Sequence, residues 1–441
     1  MKRFAMKLLE EWKADEERLP MIIRGARQVG KTWLMKEFGK THFEQCAYIS
    51  FDRNARMKRL FEGDFQVDRI LQGLSIESGV DIDPDNTLIL LDEIQEVPAA
   101  LQSLKYFSED DRHRYYIIAA GSLLGIALHT GTSFPVGKVD SMNLYPMSFP
   151  EFLSATGNEN LLELIREHDF QMMQAFKDRY IDLLKTYYYV GGMPGAVKEY
   201  VKSKRMQKVR KIQQRLLADY AQDFSKHPPK ETIPRIQAVW DGIPSQLAKE
   251  NKKFIYSVLR EGARAKDYEL AIQWLTDCGL CHKVGRISKP GIPLKAYQDL
   301  PAFKLYLVDV GLLAAMTDLD ARTLLKGNDV FTEFKGALTE QYVCQQLLAE
   351  TEAVPFYWSA EASRGEIDFV FQHNGRIIPL EVKAEENLNA KSLKAFISKY
   401  QLPSGVRTSM SDYREQEHLL NLPLYAISEL FEVYDNFETA G

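Results

Sequence analysis

The sequence predicts an α/β protein in three parts: a doubly wound parallel sheet, then a helical and winged-helix region, then a small α/β domain. Three observations carry this. Between residues 20 and 145, short apolar runs alternate with amphipathic stretches, as repeated βαβ units require. From 195 to 320 the chain turns helical and charge-rich, ending in a strand, Cys281 to Ile287. After Thr332 the order becomes helix, strand, strand, strand, helix. The expected domains are residues 1–190, 191–320 and 321–441.

Residues 2 to 18 read as an amphipathic helix, with Phe4, Leu8, Leu9 and Trp12 on one side. The apolar run Met21-Ile22-Ile23 leads into Gly25-Ala26-Arg27-Gln28-Val29-Gly30-Lys31-Thr32, which matches the phosphate-loop pattern G-x-x-x-x-G-K-[ST]. Its glycines let successive N–H groups point inward at phosphate oxygens, and the helix from Lys31 to Phe38 adds its positive end. Lys31 would reach the β/γ-phosphates of ATP and Thr32 would ligate Mg²⁺; the plainer alternative is an ordinary β-α turn. Ala47 to Phe51 is a strand, and residues 64 to 78 suggest a helix. Leu88 to Asp92 is a continuous apolar run ending in Asp92-Glu93, as expected of a buried parallel strand whose carboxyl end opens on a ligand crevice. Asp92 suits the Mg²⁺ water shell, and Glu93 the base that polarises an attacking water. A helix opens near Pro98, and the strand Tyr115 to Ala120 stops at Gly121-Ser122, where Ser122 could cap a following helix.

Composition narrows the class. A chain of 441 residues, 45% hydrophobic and 27% charged, has the make-up of a soluble protein with several cores. A net charge of -5 excludes a grossly basic nucleic-acid coat and leaves room only for a local basic groove. Glu10-Glu11 breaks the apolar start, so no signal-peptide core forms, and no stretch reaches membrane-spanning length. Cys46, Cys278, Cys281 and Cys344 are too scattered for a disulfide framework, which makes a cytoplasmic setting the expectation. Cys278 and Cys281 have the spacing of half a zinc site, but no second pair completes it.

GARQVGKT, LILLDEIQ, AAGS, the segment Leu144 to Phe152 and the Gly191-Gly192-Met193-Pro194 turn together resemble a prokaryotic family of AAA-superfamily ATPases. In that family the ATPase module is joined to a carboxyl-terminal domain of unknown function. The resemblance implies ATP and Mg²⁺ as cofactors. It also places Ser122 where ring-type and related ATPases set a polar residue against the γ-phosphate or the lytic water. One departure stands out: Gly137-Lys138 replaces the Gly-Arg common in the family, and a lysine is a point charge rather than a planar fork.

Ile233 to Ile243, Phe254 to Glu261 and Asp267 to Cys278 read as three helices before a β-hairpin, which suggests a winged helix. Arg264, Lys266, Lys283, Arg286 and Lys289 would surround its third helix and wing; Asp267 and Glu269 on that helix would repel DNA. Beyond it, the strands Pro355 to Trp358, Glu366 to Phe371 and Ile377 to Lys383 stand between the helix after Thr332 and the helix Lys391 to Tyr400. With Glu340, Asp368, Glu381 and Lys383 this order resembles the PD-(D/E)xK nuclease core. Asp368 and Glu381 would hold a second Mg²⁺, Lys383 would orient the water and Glu340 would complete the shell.

The expected function is an ATP-hydrolysing switch acting on DNA or RNA through a nuclease-like module. The alternative is an ATP-regulated module that docks on a protein partner and never cuts. A small-molecule kinase is disfavoured, because Glu93 after Asp92 suits water activation.

Overall fold

The structure is a computed structural model that describes residues 1–440 apart from 113, 123, 125–133, 227, 250–251, 327–331, 361–364 and 387. The chain forms two compact units: Lys2–Tyr145 with Asp277–Leu280, and Pro146–Thr276 with Cys281 onward.

The first unit is a parallel sheet of β1 (Met21–Arg24), β2 (Gln45–Ser50), β3 (Thr87–Asp92), β4 (Tyr116–Ala120) and β5 (Asp140–Asn143). Its strand order is β2-β3-β4-β1-β5. β3 is buried along its whole length, as a central parallel strand must be. Ile89 and Leu91 of β3, Ile117 and Ala119 of β4, and Leu101 and Leu104 from the helix Pro98–Ser108 share one apolar core. The register places Asp92 beside Ala120, and Ala120 beside Ile23. The carboxyl ends of β1, β3 and β4 are therefore level, and whatever follows them meets at one edge. Compared with the sequence reading, the first helix is shorter, Ala5–Ala14, the helix expected from 64 begins at Val67, and β5 carries no strand-like apolar run that would announce it.

The second unit is built on a mixed sheet of eight strands. These are β6 (Cys281–Ile287), β7 (Gln298–Leu307), β8 (Phe356–Ser359), β9 (Glu366–His373), β10 (Arg376–Val382), β11 (Gly405–Ser409), β12 (Arg414–Gln416) and β13 (Leu419–Pro423). β6 pairs parallel to β8, so the hairpin expected as a free wing is the edge of the carboxyl-terminal sheet, and no break falls at residue 320. The middle helix expected from Phe254 is a single 3-10 turn, Tyr256–Val258; Phe254 N donates to Phe303 O, which ties the chain to β7 in an extended form.

The helix Thr332–Glu350 runs through this unit with Gln341, Gln345 and Gln346 buried beside Leu338, Tyr342 and Val343. Each glutamine is satisfied. Gln341 bonds both Leu307 N and Leu307 O, Gln345 accepts from Val310 N and donates to Asp309, and Gln346 accepts from Phe149 N. The Gly191-Gly192 turn enters the same network. Gly192 N donates to Asp309 Oδ2 at 2.6 Å, and its carbonyl accepts from Met147 N at 2.7 Å. A Cβ on Gly191 would stand 2.1 Å from Asp309 Oδ1, so only glycine fits. Burial pushes the Asp309 carboxyl up to about 6, against the pull of these donors. The motifs Met147-Ser148-Phe149-Pro150 and Gly191-Gly192 thus act as interior joints of the second unit.

Candidate active site

β1 delivers the chain into a loop with left-handed backbone at Gln28 (φ 67°) and Gly30 (φ 100°). Gly25 has φ 142°, and a Cβ there would lie 2.2 Å from Leu144 O, so the loop turns only on glycine. The helix Lys31–His42 then points its amino end back at the loop. Lys31 is buried, and its Nζ donates to Gly25 O and Ala26 O at 2.9 Å each. Burial lowers its ammonium to about 8, with Glu93 and Asp92 pulling up and Arg27 pushing down.

Thr32 Oγ1 donates to Asp92 Oδ2 at 2.8 Å, and Tyr48 OH donates to the same oxygen at 2.9 Å. Burial, reinforced by Asp92, pushes Tyr48 up to about 12, so it stays a donor. Lys36 Nζ covers its ring at 3.5 Å. Tyr48 reaches the site from β2, paired through Tyr48↔Leu90 to the Asp92 strand, and the sequence reading missed it because that pairing has no signature in the sequence.

Glu93 follows Asp92 with φ 53°, a conformation that turns its side chain back over the strand ends. Gln95 Nε2 donates to Glu93 Oε2 at 2.6 Å, and Ser122 Oγ donates to the same oxygen at 3.2 Å. Ser122 reaches Glu93 because β4 lies between β1 and β3 and the two strands end level. The alternative role of Ser122 as a helix cap concerns residues outside the described ones. Thr32, Asp92, Glu93 and Ser122 thus gather beside a buried lysine and a glycine loop. Residues 17–153 match the family described as "AAA domain".

Over these residues the chain carries an AAA-type domain.

Residues 181–323 and 335–427 match two further families, each described only as a domain of unknown function (DUF8612 and DUF4143). No curated protein matches the sequence. Among solved structures, the chain is similar to a Walker-type ATPase of Pyrococcus abyssi at 14% identity and TM-score 0.43, over 71% of this chain and 94% of that one. The Aeropyrum pernix ORC1 protein, solved in complex with DNA, matches at 11% and 0.27, over 71% and 90%. The ADP form of the Aeropyrum pernix ORC2 protein matches at 13% and 0.30, over 73% and 91%. No helix among the described residues is long and apolar enough to cross a membrane.

Lys138, in the place of the family arginine, pairs with Glu109 at 3.0 Å. The turn 277–280 packs on the loop itself: Gly279 has φ 68°, and a Cβ there would lie 3.1 Å from Ala26 N.

The carboxyl-terminal acids divide between two environments. Glu340 is buried, with Lys252 Nζ on Oε1 at 2.5 Å and both Lys304 Nζ (3.4 Å) and Tyr306 OH (3.1 Å) on Oε2. Burial would raise its carboxyl, but the two lysines outweigh that and hold it well below the usual range. Lys304 also pairs with Glu366. Asp368 accepts from Val382 N at 2.7 Å; burial, with Glu340 acting in the same direction, pushes it well up despite Lys304 and Lys252. Glu381 instead bonds Lys383 at 2.7 Å. Ile377 clusters with Leu393 and Phe396, and Pro379 borders Gly405 beside Leu393, so alternate positions on β10, Glu381 among them, face the helix Lys391–Tyr400. Among the described residues, donor atoms of Glu340, Asp368 and Glu381 do not converge as a three-ligand set within 4.8 Å.

Of the basic residues expected to meet nucleic acid, Arg286 is half-buried and holds Asp299 and Ser359, whereas Arg264, Lys266, Lys283 and Lys289 are exposed, with Lys283 over the Phe303 ring and Lys289 over Tyr297.

Proposed function

We propose that the chain binds Mg-ATP and hydrolyses it as a switch, and that its second unit is a partner-binding module without nuclease activity. The observation that carries the first half is the convergence of Thr32, Asp92, Glu93 and Ser122 beside the buried Lys31. Loop N–H groups and Lys31 would cradle the phosphates, while Thr32 and Asp92 fit a Mg²⁺ shell of hard oxygens. When bound, the ion neutralises charge on the β- and γ-oxygens. Glu93 orients the attacking water once its Oε2 is released from Gln95 and Ser122. Ser122 then becomes available to the γ-phosphate or the water.

The second half rests on charge. Lys252 and Lys304 face Glu340, Glu366 and Asp368, and with Asp368 holding its proton the remaining charges balance. A balanced cluster offers no net negative field to a divalent ion.

Lys31→Ala is expected to weaken ATP binding by about 10- to 100-fold, the value of a charge-assisted phosphate contact. Glu93→Gln should bind normally and turn over about 10²- to 10⁴-fold more slowly. Calorimetry with ATP and phosphate-release kinetics decide; equal hydrolysis by wild type and Glu93→Gln would remove the assigned base. Wild type is expected not to nick single-stranded, double-stranded or branched DNA or RNA with Mg²⁺ or Mn²⁺. Cleavage that Glu381→Ala abolishes would restore the nuclease reading.

A further inference from the structure

Three metal-ligating side chains of the second unit converge away from Glu340. His168 stands between the helices Glu159–Arg166 and Phe170–Ala175 with φ 54°, pinned by His168 N to Ile165 O and Asp169 N to Leu164 O. Its ring lies parallel to Phe170, with centroids 6.0 Å apart and planes 9° apart, and Phe170 is itself stacked on Tyr413 at 3.8 Å. Glu429 ends the 3-10 segment Leu424–Glu429, and Glu432 lies in the first turn of the helix Leu430–Ala440. His168 Nε2 is 3.5 Å from Glu429 Oε2 and 3.9 Å from Glu432 Oε2. Among the described residues this is the one set of three His, Cys, Asp or Glu donors lying within 4.8 Å of one another.

We propose that His168, Glu429 and Glu432 bind a divalent transition cation of the zinc class. Ligands about 2.0–2.2 Å from a tetrahedral ion stand about 3.4 Å apart, close to the spacing already present. Ser428 Oγ donates to Glu429 Oε1 at 3.0 Å, which fixes the carboxylate and leaves Oε2 toward the histidine, as an outer partner does for a metal ligand. Ser428 and Glu432 also line a cavity of about 480 Å³, so the Glu432 side of the cluster borders open space. An imidazole with two carboxylates selects zinc-class ions over Mg²⁺, which prefers an all-oxygen shell and keeps its waters. Three protein ligands leave a position open to water or a partner's side chain.

A competing account needs no ion: the start of the helix Leu430–Ala440 favours carboxylates by itself, and a protonated His168 would pair with them. Equilibrium dialysis of EDTA-stripped full-length protein without nucleotide, using Zn²⁺ alone and then Co²⁺ alone, separates the two. One Zn²⁺ per chain and visible Co²⁺ absorption bands are expected. Asp92→Asn should keep both, which sets the ATP site apart. His168→Asn, whose side chain tolerates the left-handed backbone, and Glu429→Gln should each weaken binding about 10-fold or more and abolish the bands, while ATP hydrolysis stays unchanged. Equal binding by wild type and either variant, or no uptake by wild type at about 100 μM Zn²⁺, would leave an ion pair only and overturn the site.

Discussion

Lys31 is held in a state that its ligand should change. Burial brings its ammonium down to about 8, so near that pH only part of the population is protonated, and an anion arriving at Nζ favours the charged form. ATP binding is therefore expected to take up about half a proton at pH 8 and almost none at pH 6, where Lys31 is already charged. Calorimetry in buffers of differing ionisation enthalpy measures this directly; the same uptake in Lys31→Met would assign the proton elsewhere. At this scale the sequence was legible. Lys31 bonds the carbonyls of its own loop, Thr32 bonds Asp92 and Ser122 bonds Glu93, contacts made where the loop and the strand ends are built from contiguous residues. Tyr48 was not legible, since a tyrosine in a strand has no signature for the neighbour its hydroxyl will find.

Among the elements, helices and strands were easier to read than their pairings. Cys281 to Ile287 was recognised as a strand of a hairpin, but nothing in it reveals that β8, far along the chain, will lie parallel to it. The lysines show the same limit. Glu340, Asp368, Glu381 and Lys383 read as one acidic site because the nearby sequence supplies three acids and one base, whereas Lys252 and Lys304 come from distant segments and change the sum. Lys304 is fully buried, so Lys304→Met should cost about 3–5 kcal/mol by stranding Glu340 and Glu366. Adding Glu340→Gln should recover part of that loss, a coupling of about 0.5–3 kcal/mol readable from urea unfolding of the cycle. Strict additivity would mean that the two groups do not depend on each other. The helix after Thr332 was legible but the burial of its glutamines was not, for their partners are backbone groups of Leu307, Val310 and Phe149.

In the whole molecule the domain boundaries follow contacts rather than sequence order. The first unit is discontinuous, taking Asp277–Leu280 from beyond the first part of the second unit. Gly279→Val should therefore weaken ATP binding about 10-fold although it alters no loop residue, because a side chain at φ 68° costs about 1–2 kcal/mol and its Cβ would press on Ala26 N. Gly262→Val, at φ 74° with nothing within 4 Å of its Cβ, is the matched control and should lower stability without changing ATP affinity. The two variants behaving alike would show that the turn does not support the loop. The same arrangement sets an order of events during synthesis. Translation at about 5–20 residues per second reaches Leu280 on the order of ten seconds after Tyr145 has been added. For that interval the nascent chain has its glycine loop but not the turn beside it, so full affinity for nucleotide is expected only once Leu280 has been added.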